Sequence, residues 1–157
     1  MIPEFRFLPK PRGSVADILE AKGHTVYTVA PGDTVYEAIV QMNAREVGAL
    51  LVMDGQALVG IVSERDYTRR VAIQGRQSQQ TRVQEIMTAQ LHTVTPATSL
   101  GECLHIVTRH KVRHLPVLLE QRVVGIVSIG DLVSAVLAQQ AETIQKMGSL
   151  IGGQYPA

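Results

Sequence analysis

Apolar residues recur along this chain with two different periods, and the order of those periods occurs twice. From Asp33 to Ala44 the apolar positions Val35, Ala38, Ile39 and Met42 lie three and four apart, which puts them on one face of a helix. Thr98–His110 repeats that spacing at Leu100, Cys103, Leu104 and Val107. Asp33 or Thr34 is placed to cap the first helix, and Thr98 or Ser99 the second. Each helix is followed by two short apolar runs, Ala49–Met53 and Leu58–Val62, then Leu115–Leu118 and Val123–Val127. Asp54-Gly55 between the first two is a hairpin-turn signal. A second helix with a polar start closes each unit, over Glu64–Ala72 and Gly130–Gln145. The predicted unit is strand–helix–strand–strand–helix.

A shift of 65 residues lays Thr28–Val71 over Thr93–Val136 without a gap, with about a third of the positions identical. The block Gly60–Ser63 with Asp66 falls on Gly125–Ser128 with Asp131. Upstream, VADIL at 15–19 resembles VQEIM at 83–87, and the connection from there to the shared Thr-Val is three residues longer in the first copy. The expected organisation is an N-terminal tail at 1–13, one repeat at 14–73, a polar linker at 74–82, a second repeat at 83–140, and a helix end and tail at 141–157. The Gly-rich stretch 148–157 is expected to be loose, or ordered only in an assembly. Each unit is too small to bury much surface alone, so the two are expected to pack on each other about a pseudo-twofold axis.

Composition narrows the classes. With 45% apolar and 18% charged residues the 157-residue chain can build a core, which with 4% aromatics must consist of Val, Ile, Leu, Met and Ala. Fifteen basic against fourteen acidic side chains leave a net charge of +1, without the basic footprint expected for nucleic acid. No apolar run is long enough for a membrane span, and the first residues lack a secretory signal. The single cysteine, Cys103, forbids an intrachain disulfide and fits a reducing, cytoplasmic location. It falls on an apolar helix face with no base beside it, so it reads as a small buried hydrophobe rather than a nucleophile. His105, His110 and His114 lack a well-placed carboxylate or thiolate, and no metal is expected.

The element order, the phrase VRHLPV, and the phrases GIVSERD and GIVSIGD resemble cystathionine-β-synthase (CBS) domains, and two in tandem resemble a Bateman module. The resemblance covers about residues 14–140, with no other domain attached, as in stand-alone modules of bacterial type. It implies an α/β (α+β) fold of two β-α-β-β-α repeats, a ligand-sensing regulatory role, and a homodimer. It also implies an adenine nucleotide (AMP, ATP or NAD) in clefts between the repeats.

Ser63-x-x-Asp66 and Ser128-x-x-Asp131 have two readings. Each spells a capping box at a helix start. Each could also offer an Asp carboxylate to both ribose hydroxyls, with Ser facing a phosphate. The resemblance favours ligand contact at Asp66, Asp131 or both. It places Asp131 with the segment leading into the first repeat, about Lys22–Tyr27 with Val26, and Asp66 with Met87–Thr93, including Leu91. Ile61 and Ile126 are the apolar walls. Gly60 and Gly125 read as places where another element approaches closely. The resemblance implies a phosphate-contacting position at Arg113-His114, which otherwise reads as solvated surface charge; the first copy has Gly48-Ala49 there, which makes the clefts unequal. Arg65 and Arg69, within a run that includes Arg70, Arg76 and Arg82, read either as a solvated face or as a basic lip for a di- or triphosphate. Without a Walker loop, paired carboxylates or a metal cluster, the chain is not expected to be an enzyme. The expected role is a regulator acting in trans on an unidentified partner protein. The alternatives are a structural interaction domain with degenerate pockets and, last, a nucleotide hydrolase.

Overall fold

The computed structural model describes residues 10–152. Helix α1 (Val15–Lys22) leads into a three-stranded sheet with helix α2 (Val35–Arg45): β1 (Thr28–Val29) runs parallel to β2 (Ala49–Asp54), which is antiparallel to β3 (Ala57–Ser63). A short helix α3 (Glu64–Tyr67) follows and widens into a π-turn at Thr68–Ala72, so the helix expected over 64–72 changes its winding midway. The second copy runs α4 (Val83–Ile86), α5 (Leu100–His110), β4 (His114–Leu119), β5 (Arg122–Ser128) and α6 (Ile129–Gly152). Its expected first strand is reduced to one rung, Val94 on Val117. The hairpins share one register: Ala49 faces Ser63 as His114 faces Ser128, with an irregularity before Met53 and Leu118.

The helix faces bury as their spacing dictates. Val35, Ala38 and Met42 are buried on α2, and Leu100, Cys103 and Val107 on α5. Thr34 and Ser99 are the caps, each accepting an N–H three residues on. The linker is ordered by packing: Thr81 is buried, and its carbonyl accepts Val35 N at 2.8 Å. The region expected to be loose from residue 148 is helical to Gly152, because α6 continues through Gly148 as one 24-residue helix. Residues 153–157 of the expected tail lie outside the described residues, as do 1–9 of the N-terminal tail.

The core is exchanged between the repeats. The first cluster, containing Val29, Leu50, Val52 and Val62, is completed by Val83 and Ile86 of α4. The second, containing Leu115, Val117, Val127 and Leu132, is completed by Val15, Ile18 and Leu19 of α1. Each lead-in helix thus lies on the other copy's hairpin, and this reciprocity is the pseudo-twofold relation. The two glycines allow it. A Cβ on Gly60 would lie 2.6 Å from Met87 Sδ, and one on Gly125 would lie 2.6 Å from Leu19 Cδ2.

Candidate functional site

The end of β3 turns directly into α3, and the turn is held by a complete capping box. Asp66 Oδ2 accepts Ser63 N and Ser63 Oγ, both at 2.9 Å, while Ser63 Oγ accepts Asp66 N at 3.2 Å. The cap therefore uses one carboxylate oxygen. Among the described residues Oδ1 accepts nothing, so capping and an outward acceptor role share one side chain.

That side chain lies on a cleft of about 430 Å³, within the range of small-molecule sites. The first repeat contributes Gly48, Ile61, Ser63, Arg65, Asp66 and Arg69. The lead-in of the second contributes Thr88, Gln90, Leu91 and His92, and its body contributes Lys111, Arg113, His114 and Pro116. Nine of the sequence-predicted residues thus share this one cleft. Gly48 lies beside His114 at this opening, where a Cβ would make an ordinary contact with the imidazole at 3.8 Å.

Charge in the cleft is one-sided. Arg65, Arg69, Arg70, Lys111 and Arg113 face Glu64 and Asp66. Arg70 is committed to the fold, donating to Ile86 O at 2.6 Å and to Met87 O at 3.3 Å. Arg65, Arg69, Lys111 and Arg113 have no carboxylate within ion-pair distance among the described residues. The other arginines of the run serve the fold: Arg76 pairs with Glu85 at 2.7 Å, and Arg82 donates to Gly32 O at 2.9 Å. Burial lowers the pKa of His114, and the charge of Lys22 lowers it further; Asp131 opposes the shift and Arg113 adds to it. At neutral pH His114 offers one neutral N–H rather than a charge.

The second copy repeats the cap but not the cleft. Ser128 N donates to Asp131 Oδ2 at 2.8 Å, and Asp131 N donates to Ser128 Oγ at 3.1 Å. Asp131 Oδ2 also accepts Lys22 Nζ at 2.7 Å. Burial raises the Asp131 pKa, but the Lys22 and Ser128 hydrogen bonds outweigh it and the net shift is downward. The groove bordered by Asp131 is a different one, of about 500 Å³ between α1 and α6. Of the segment expected beside Asp131, Lys22 alone lines that groove. Tyr27 packs on the first core and carries Arg45 at 4.9 Å over its ring. Val26 is half-buried, Thr93 is exposed, and Ala49 is buried in β2; none of them lines either cavity. Ile126 contributes its carbonyl, which accepts Lys22 Nζ at 3.0 Å.

Lys111 and Pro116 lay outside the expected cleft residues, whereas Gln90 and His92 fell within the expected 87–93 segment without being named. Lys111 sits in the left-handed conformation that ends α5, as Glu46 does at the end of α2. The exchange of Glu for Lys at matched positions was the available signal. His92 stacks on His110 with ring centroids 3.9 Å apart. Among the described residues no group of three metal-ligating side chains occurs, and no helix is long and apolar enough to cross a membrane. Burial pushes the Cys103 thiol up to about 11, so it stays protonated at neutral pH.

Comparison with known proteins agrees with the duplication. The family model described as the CBS domain matches residues 15–73 and again 83–138. The mitochondrial CBS domain-containing protein CBSX3 of Arabidopsis thaliana is 38% identical over 151 residues, covering 90% of this chain and 73% of its own. A solved CBS-domain protein from Burkholderia ambifaria, ascribed to signal transduction, is 50% identical with a TM-score of 0.79, covering 82% of this chain and 96% of that one. The CBS-domain containing protein of Agrobacterium tumefaciens is 36% identical with a TM-score of 0.75, covering 78% and 98%. The chain therefore belongs to the CBS-domain family, as a tandem of two CBS repeats.

Proposed function

We propose that this protein is an adenine-nucleotide sensor: it binds AMP, ATP or NAD in the Asp66 cleft and regulates a partner protein in trans, without catalysis. One observation carries the reading. A single cleft joins a carboxylate with an oxygen to spare and four cations without carboxylate partners among the described residues, drawn from both repeats. A carboxylate accepts ribose hydroxyls, and arginine forks hold phosphates. Ile61, Leu91 and Pro116 supply apolar surface for a base. Because the walls belong to different repeats, a bridging ligand favours one relative placement of the two, and the outer surface follows that population. CBS-domain proteins are regulatory modules, which supports the same role.

The active form proposed is a cytoplasmic homodimer. Tyr36 and Val40 on α2, with Val133 and Leu137 on α6, are large apolar side chains left exposed on helices of both repeats. Thermal unfolding with AMP, ADP, ATP, NAD and S-adenosylmethionine tests the ligand class. Ligand at about 100 times its dissociation constant stabilises by about 2.7 kcal/mol, or several degrees for a chain of this size. A rise with at least one nucleotide is expected. No rise with any of them turns the cleft into a degenerate pocket and the protein into an interaction domain.

A further inference from the structure

The two halves differ at one carbonyl. In the first repeat Ile61 O accepts Thr88 N at 2.9 Å, and Ile61 N donates to Thr88 O at 3.0 Å. The second lead-in therefore lies along β3 as extended backbone. Ile126 is the matched residue of β5, yet its carbonyl accepts the Lys22 ammonium, which also reaches Asp131 Oδ2.

Counted from the residue that covers each glycine, Lys22 has Gln90 as its counterpart. Leu19 covers Gly125 as Met87 covers Gly60, and three residues further on lie Lys22 and Gln90. Beyond them the first lead-in is three residues longer, and the copies come back into step at Thr28-Val29 and Thr93-Val94. Gln90 is neutral, lines the open cleft, and makes no hydrogen bond to Asp66. The helices differ in the same sense: α4 stops at Ile86 and frees the chain to form a cleft wall, whereas α1 runs on to Lys22. Beyond it, the His24 ring holds Val124 O at 2.9 Å.

A ribose needs the Asp as a hydroxyl acceptor, and at Asp131 an ammonium of the protein's own is already there, fixed from two sides. We propose that Lys22 is a plug supplied in cis: it occupies the second ribose position and limits each chain to one adenine nucleotide. The proposal rests on the reading of the Asp66 cleft given above.

Counting nucleotides per chain by equilibrium titration of the full chain with ATP, and separately with AMP, tests it. The wild type is expected to bind one. Lys22→Gln, which copies Gln90, is expected to bind two, and adding Asp131→Ala is expected to return the count to one. Lys22→Met gives the same result if loss of the ammonium is the cause; circular dichroism checks that both variants fold. Two nucleotides on the wild type, or one on both Lys22 variants, overturns the plug and leaves the Asp66 reading standing. No binding to the wild type overturns the Asp66 reading and the plug with it.

Discussion

Leu19 lies on Gly125 so closely that a Cβ there would sit 2.6 Å from Leu19 Cδ2 and 3.0 Å from Cδ1. The contact joins residues of different repeats, and the fully buried Leu19 has little space to yield. Gly125→Ala is expected to cost about 1–3 kcal/mol, as core overpacking does. Gly60→Ala is expected to cost more than Gly125→Ala, because Thr88 O, a backbone atom, lies 3.1 Å from the added carbon. Urea unfolding measures both. A shortened side chain in Leu19→Ala should recover part of the loss in the Gly125→Ala background but none in the Gly60→Ala background.

The cations of the cleft carry a second prediction. Arg113→Ala is expected to weaken ATP at least tenfold while leaving adenosine nearly unchanged, since the guanidinium has only the phosphates to hold. Raising NaCl from 50 to 500 mM should weaken ATP more than AMP. Titration calorimetry at the two salt concentrations measures the difference.

Acid should weaken the fold in two stages. His114 has a lowered pKa in the folded chain, so below about pH 6.5 the unfolded chain takes up a proton that the folded chain refuses. Stability from the neutral ring is therefore present above that pH and is lost as pH falls. The slope reaches at most about 1.4 kcal/mol per pH unit for one proton. Asp131, also lowered, adds a second loss as pH falls below the ordinary Asp range and through its own folded pKa. His114→Gln is expected to flatten the slope between pH 7 and 5 without removing it, because His110 is shifted in the same direction by burial and by His92. Denaturant titrations at several pH values read this directly.

Assembly gives a fourth prediction. Light scattering at micromolar concentration is expected to give twice the chain mass of 17.1 kDa. Val40→Glu together with Leu137→Glu is expected to return it to the single-chain value with the fold intact, since both side chains are exposed within one chain. A wild-type mass of one chain contradicts the dimer.

The helix faces, hairpins and capping boxes were legible because each depends on neighbours three or four residues away. The cleft was partly legible for a related reason: Ser63, Asp66, Arg65 and Arg69 arrive together on one turn, and the repeat alignment marked Arg113-His114 against Gly48-Ala49. The Lys22–Asp131 pair was not legible as an ion pair, because 109 residues separate the partners and the exchange of lead-in helices brings them together. Nor was the length of α6. Gly148 reads as a stop, but a glycine inside a helix costs only about 1 kcal/mol, which a long helix absorbs.

The most direct measurement is calorimetric titration of AMP and its 2′-deoxy analogue into the wild type and Asp66→Ala. The cap lost in Asp66→Ala costs about 1 kcal/mol, so the variant should still fold. The expected result is binding of AMP to the wild type, at least tenfold weaker binding of the deoxy analogue, and at least tenfold weaker binding of AMP to Asp66→Ala. Equal affinity for AMP in the wild type and in folded Asp66→Ala would contradict the ribose role of Asp66 and leave that carboxylate a helix cap.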